Sequence, residues 1–247
     1  MTRVAVVTGG GSGIGLSICG QLAESGYRVA VVDLNGAAAR QVARELCARG
    51  GQALGCEVDV TDRPAVEEAL RHIRARFGPV EILVTSAGLA AFESFTDITL
   101  ESWDRIMEVN LTGTFHCVQA VIGDMLAARW GRIVTISSSS AQRGSPRMVH
   151  YAASKGAVIA MTKSLALEYA SFGITVNCIP PSSIDTPMSR GGRATGDVPD
   201  AEVMAKAIPV GRLGTGNDIA AACAFLCSDG ASFVTGQVLG VNGGAVI

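Results

Sequence analysis

The chain has no surplus of either charge. Twenty basic side chains stand against 22 acidic ones, a formal net charge of −2 over 247 residues. Proteins that hold nucleic acid or an anionic membrane by charge carry a basic face or tail, and nothing here supports that class. Long apolar runs are missing too. Met1–Val7 leads straight into a glycine cluster and is too short for a signal-peptide core or a membrane span. No later stretch reaches about 18 uninterrupted apolar residues, so a soluble, cytoplasmic protein is expected. Histidine is scarce, and His72, His116 and His150 have no metal-ligand spacing. There is no Cys-x-x-Cys pair. The cysteines are seven, an odd number, and lie scattered through apolar segments. That pattern predicts buried reduced thiols, with neither disulfides nor a metal site.

What is there is apolar material: 48% hydrophobic against 17% charged residues, ample for a core. Strand-length apolar runs alternate with helix-length periodic segments. Strands are predicted at Val4–Thr8, Arg28–Asp33, Gln52–Val58, Glu81–Thr85, Gly131–Ser137, Thr175–Ile179 and Val238–Val241. Helices are predicted at Ile14–Ser25, Ala37–Arg49, Pro64–Phe77, Trp103–Ala128, Tyr151–Ser171 and Asn217–Ser228. Strands so uniformly apolar are buried on both faces. The expected fold is therefore α/β, a single-domain, Rossmann-type, doubly wound parallel sheet with helices on both faces, spanning residues 1–247. One segment, Pro180–Asp200, is irregular, and its position after a strand predicts a lid over the site, with a substrate loop at about 188–205.

The first strand ends in Thr8-Gly9-Gly10-Gly11-Ser12-Gly13-Ile14-Gly15. Glycines between a strand and a helix allow a tight turn and close approach of a pyrophosphate, which the helix N-terminus attracts. Gly9, Ser12, Gly13, Ile14 and Gly15 are the expected cradle for a dinucleotide. Asp33 ends the second strand about twenty residues on, where a carboxylate accepts bonds from ribose hydroxyls and repels an extra phosphate. With Leu34 beside it and no basic residue in the turn, it predicts NAD(H) over NADP(H). Asp59 and Val60 follow the third strand, where they either frame the adenine or, for Asp59, form an Asx turn.

Tyr151 and Lys155 lie one helical turn apart, thirteen residues beyond Ser138. A free tyrosine titrates near pH 10, about three units above neutrality. A lysine on the same helical face is expected to stabilise the phenolate and bring that value down, which suits general acid–base catalysis. Ser138, at a strand end within the run Ser137–Ser140, is placed to bond a substrate oxygen. A glycine turn, this serine and a Tyr-x-x-x-Lys pair in this order resemble the short-chain dehydrogenase/reductase family over essentially the whole chain.

The resemblance implies reversible alcohol–carbonyl oxidoreduction with a nicotinamide cofactor. It makes Tyr151 the acid/base, Lys155 the ribose-binding lysine, Ser138 the substrate-positioning serine and Asn110 the holder of a water in a proton relay. Ala87 and Gly88, which follow Thr85-Ser86 where the family usually has Asn-Asn, then approach the cofactor closely, and Ser86 is expected to bond across the sheet. Ile184 and Thr186, which follow Pro180-Pro181-Ser182 where the family usually has Pro-Gly, match positions that contact the carboxamide and phosphates. The branch most similar acts on 3-oxoacyl and 3-hydroxyacyl thioesters. Steroid and cyclic alcohol dehydrogenases share the motifs, and a non-catalytic dinucleotide-binding sensor is the remaining alternative. A homotetramer is implied. Specificity is expected from residues 139–150 and the substrate loop, where Arg143, Arg147, Arg190 and Arg193 either recognise an anionic substrate group or are solvated charge.

Overall fold

The computed structural model describes residues 2–247. In chain order the elements are β1 (Val4–Thr8), α1 (Gly13–Glu24), β2 (Arg28–Asp33), α2 (Gly36–Ala48), β3 (Gln52–Glu57), α3 (Arg63–Phe77) and β4 (Val80–Thr85). Then come α4 (Leu100–Met107), α5 (Gly113–Ala128), β5 (Gly131–Ile136), the single turn α6 (Ser140–Arg143) and α7 (Val149–Tyr169). The chain continues through β6 (Ile174–Ile179), α8 (Pro187–Ala194), α9 (Ala201–Ala207) and α10 (Gly216–Cys227). The strands form one sheet in the order β3-β2-β1-β4-β5-β6, every described pairing parallel. The order reverses beside β1, which pairs with both β2 and β4, and a crevice opens there beyond the strands' carboxyl ends.

The unbroken apolar strands are two alternating sets. Ala5, Val7, Val29, Val31, Ile82 and Val84 point to one face and pack with Ile18 and Leu22 of α1, Val42 of α2 and Ile219 of α10. Val4, Val6, Ala30, Val32 and Leu83 point to the other and pack with Leu70 and Ile73 of α3 and Val121 and Met125 of α5. Both faces are covered, so the period of two that marks a half-exposed strand never shows in the sequence. The glycine turn and the ends of β4 and β5 thus rest on a rigid, fully buried platform.

Three expectations are corrected. The last strand, Val238–Val241, is reduced to isolated parallel bridges, Cys178 with Val238 and Pro181 with Val241. It still extends the sheet at β6, where Cys178 N–H donates to Gln237 O at 2.9 Å and Leu239 N–H to Cys178 O at 2.8 Å. The long helix Trp103–Ala128 is broken by a π-turn over Glu108–Thr112 between α4 and α5, and the cause lies in Asn110 below. The irregular lid holds α8, started by a capping box in which Thr186 and Ser189 satisfy each other's backbone N–H groups. Thr186-Pro187-x-Ser189, with proline at the first helical position, is the signal for that start. The cysteines are free thiols, buried except for Cys47.

Among the described residues no helix is long and apolar enough to cross a membrane, and no group of three or more His, Cys, Asp or Glu residues is placed to hold a metal ion. The central strands carry the stability. Leu83 is fully buried in β4, and Leu83→Ala is expected to lower unfolding free energy by about 2–5 kcal/mol. The check is urea denaturation, and a shift in midpoint below about 1 kcal/mol would show that β4 is not the rigid centre.

Candidate active site

The glycine turn is shaped by backbone needs. Gly9 and Gly13 have φ of +65° and +53°, values that side-chain-bearing residues rarely adopt. A Cβ at Gly15 collides with the Gly9 carbonyl, so α1 approaches β1 as only glycine permits. Ser12, the N-cap of α1, makes no side-chain cap bond, which leaves the first N–H groups of the helix free of that partner. A Cβ placed on Gly13 meets nothing closer than Thr186 at 3.6 Å, which marks a gap between the glycine turn and the start of α8. Donors and partial positive charge therefore line a gap of the kind a diphosphate fills. Ile14 of the same turn is half-buried and packs on the core.

Asp33 is tied in. Its Oδ2 accepts from Gly11 N–H at 2.9 Å and its Oδ1 from Asn35 N–H at 2.9 Å. One carboxylate thus pins the glycine turn to the end of β2 and keeps lone pairs for a further donor. Leu34, beside it, is exposed. Glu57, the register partner of Asp33 on β3, is a second carboxylate at this edge and holds Arg40 in a 3.5 Å ion pair. Sequence reasoning missed Glu57, because only strand pairing brings it beside Asp33.

Asp59 takes the Asx-turn alternative: its Oδ1 accepts from the N–H and hydroxyl of Thr61, at 2.9 and 2.7 Å, which holds its carboxyl below the usual range. Val60 is buried, and a Cβ on Gly113 would press on its side chain. The Thr8 hydroxyl accepts from the N–H groups of Ser86 and Ala87, each at 3.2 Å, joining β1 to the end of β4. The expected cross-sheet bond of Ser86 is thus made by its backbone. The Thr85 hydroxyl is buried with no hydrogen-bond partner among the described residues. Ile184 is in the core, so only its backbone can face the crevice, whereas Thr186 caps α8 across from Gly13.

The end of β5 brings the remaining groups together and separates the four serines. Ser137 is buried and its hydroxyl donates to the Lys155 carbonyl at 2.8 Å. Ser139 is buried, its N–H bonded to Pro181 O at 2.8 Å. Ser138 is half-buried and faces Tyr151. Its Oγ accepts from both the hydroxyl and N–H of Ser140, at 2.7 and 3.2 Å. With its acceptor sites taken, the Ser138 hydroxyl hydrogen is left to donate. Ser140 is a further residue that sequence reasoning missed; it orients its neighbour.

Lys155 is buried, and its Nζ donates to the Ile136 carbonyl at 2.9 Å. Burial lowers its pKa to about 8, slightly opposed by Cys178. Burial pushes the Tyr151 phenol up, and the Ser138 hydroxyl pulls it back only in part. The expected lowering of Tyr151 by Lys155 is therefore corrected: the ammonium is committed to a carbonyl, and desolvation dominates the phenol.

Asn110 explains the π-turn. Its Oδ1 accepts from Leu89 N–H at 2.8 Å, and its Nδ2 donates to Leu89 O and to Ser154 Oγ, both at 3.0 Å. Ser154 in turn donates to the Tyr151 carbonyl at 2.8 Å. The buried amide ties the segment after β4 to the tyrosine's own turn, and the helix widens locally to aim it, as π-turns at functional sites do. Gly88 lies between the partners: a Cβ there sits 3.1 Å from Asn110 Oδ1 and 3.2 Å from Lys155 Nζ.

The lid arginines take neither sequence alternative. Arg190 and Arg193 both grip Asp185, at 2.8 and 2.6 Å, and Arg147 pairs with Asp197 at 2.9 Å. They are spent on holding the lid.

A family model described as enoyl-(acyl carrier protein) reductase matches residues 9–246. The chain is 38% identical to 2-(S)-hydroxypropyl-CoM dehydrogenase 3 of Xanthobacter autotrophicus over 98% of its own length and 96% of the relative's. It is 40% identical to the 3-oxoacyl-[acyl-carrier-protein] reductase FabG of Salmonella typhimurium, with the same two coverages of 98% and 96%. The crystal structure of gox2181 superposes with a TM-score of 0.92 at 34% identity, covering 99% of this chain and 95% of that one.

The Lys155 environment is directly measurable. Its ammonium should titrate near pH 8 in the folded protein, against 10.5 ordinarily. Between those values the unfolded chain binds the extra proton, so burial of the charge opposes folding at neutral pH and that opposition fades as pH rises through the window. NMR titration of the Lys155 Cε resonance tests this, and a midpoint near 10.5 would show the side chain to be solvated.

Proposed function

The chain belongs to the short-chain dehydrogenase/reductase family, an oxidoreductase acting on CH–OH groups, and on that premise we propose that it interconverts a secondary alcohol and a ketone with NAD(H). The observation that carries the proposal is the convergence of Ser138, Tyr151 and Lys155 below the glycine turn. The nicotinamide supplies or accepts the hydride. Gly9, Ser12, Gly13, Ile14, Gly15 and Thr186 hold the diphosphate. Asp33 and Leu34 hold the adenosine ribose, Asp59 and Val60 border the adenine, and Ala87, Gly88 and the Ile184 backbone flank the nicotinamide half. In the reductive direction Ser138 donates to the carbonyl oxygen. Tyr151, kept protonated by its raised pKa, delivers a proton to that oxygen as charge develops on it. Lys155 binds the ribose of the nicotinamide half and stabilises the phenolate left behind. Asn110 fixes both the segment after β4 and the tyrosine's turn.

NAD(H) is favoured over NADP(H) because Asp33 and Glu57 present two carboxylates at the ribose edge and Arg40 is already paired to Glu57. A 3-oxoacyl or 3-hydroxyacyl thioester is the substrate class that the relatives' names suggest. The paired lid arginines then leave recognition of such a substrate to its acyl end. We further propose that the whole chain acts as one catalytic unit, with residues 188–205 as its substrate loop. A cytoplasmic homotetramer suits the free thiols and the exposed Phe115, Leu167 and Phe233.

Two measurements test the reading. Tyr151→Phe should lower NADH-dependent turnover of an acetoacetyl thioester or a cyclic ketone by roughly 10²-fold or more while leaving the NADH dissociation constant unchanged. Turnover within a few-fold of the parent would remove Tyr151 from the role of acid. The parent should bind NADH more tightly than NADPH by fluorescence titration, and Asp33→Ala should narrow that ratio by about tenfold or more. The same change should also cost some thermal stability, because it frees Gly11 N–H. A parent that prefers NADPH would overturn the cofactor assignment.

A further inference from the structure

His150 immediately precedes Tyr151 on the first turn of α7 and is fully buried, yet neither ring nitrogen has a hydrogen-bond partner among the described residues. Burying an imidazole without partners destabilises a fold, since its lost hydration is not offset. A leucine fills similar space at no such expense. The charge beside it is Glu93, whose Oε1 lies 3.7 Å from Nε2, just beyond hydrogen-bond length. Glu93 is itself held: Oε1 accepts from Ser102 Oγ at 2.6 Å, and its N–H donates to the Arg147 carbonyl at 2.8 Å. Arg147 also donates to Phe92 O at 3.1 Å while pairing with Asp197 of the lid. Glu93 therefore sits in a wall, residues 89–94, anchored to Asn110 at one end and to Arg147 at the other.

We propose that His150 and Glu93 form a positioning pair for Tyr151: a shift of under 1 Å brings Nε2–H onto the Glu93 carboxylate and locks the tyrosine's turn to the wall and, through Arg147, to the lid. Neither residue touches substrate in this role; the pair acts on where the phenol stands. The inference rests on Tyr151 being the acid/base, and its test has a readout that does not.

The chain has three tyrosines, Tyr27, Tyr151 and Tyr169, so Cζ-labelled tyrosine gives three NMR signals, with Tyr151 assigned by Tyr151→Phe. In His150→Leu the Tyr151 signal should move or broaden while Tyr27 and Tyr169 hold and the melting temperature stays level or rises. Turnover of acetoacetyl-CoA should fall roughly tenfold or more with NADH affinity unchanged. Glu93→Ala should reproduce this, Glu93→Gln, which keeps an acceptor, should not, and the double variant His150→Leu/Glu93→Ala should be no worse than either single change. An unmoved Tyr151 signal in His150→Leu overturns the pair, as does a general loss of stability that moves all three signals together. A moved Tyr151 signal in a parent without ketone turnover upholds the pair and overturns the assigned reaction instead.

Discussion

The site depends on one reciprocal clamp between β5 and α7. Ser137 donates its hydroxyl to the Lys155 carbonyl at 2.8 Å, and Lys155 returns its ammonium to the Ile136 carbonyl at 2.9 Å. Adjacent strand-end residues thus grip both the backbone and the side chain of one helical residue. With that register fixed, Tyr151, one turn earlier, can only stand over Ser138. A single bond would leave the helix free to slide or roll, whereas two in opposite senses do not. The ammonium is desolvated in the process and its pKa drops to about 8, a stability loss located at the chemistry.

Around the clamp, polar groups that elsewhere build regular structure are diverted to position others. Asn110 disrupts the helix it belongs to so that its amide can join Leu89 to Ser154. Asp33 serves its own turn and the glycine turn at once. Thr8 spans from β1 to the residues after β4. Each bond crosses the carboxyl edge of the sheet, where the chain changes direction and neighbouring segments have no ladder to fix them. The apolar faces below provide rigidity but no aim; these bonds provide the aim.

The lid obeys the same economy. Arg190 and Arg193 on Asp185, and Arg147 on Asp197, tie a segment with little core of its own to the site's rim. Exposed pairs of this kind contribute little to global stability and are weakened by salt, which suits a segment that must open. Such pairing also explains why a count of arginines near the mouth misleads: a guanidinium bound to its own chain is not a free anion receptor.

Much of this was legible along the chain. The alternation of apolar runs and periodic segments located β1 to β6 and the helices between them, because each is a local pattern dictated by burial. The glycine turn, Asp33 and the Tyr151–Lys155 spacing were legible for the same reason: each meets a local steric or helical requirement. Where the helix breaks at Asn110 was not, since the cause is a hydrogen bond to Leu89, 21 residues away. Which serine faces the tyrosine was decided by how α7 docks on β5, and the partner of Asp33 by the register of β3. The direction of the Tyr151 pKa was misread for a like reason: spacing puts a lysine nearby, but only the packed structure shows its ammonium bound elsewhere and the phenol desolvated. The sequence by itself determined the elements and the reactive residues, whose requirements are local. Tertiary structure alone decided their aim, their partners and their protonation, because those depend on groups that meet only when the sheet and helices close.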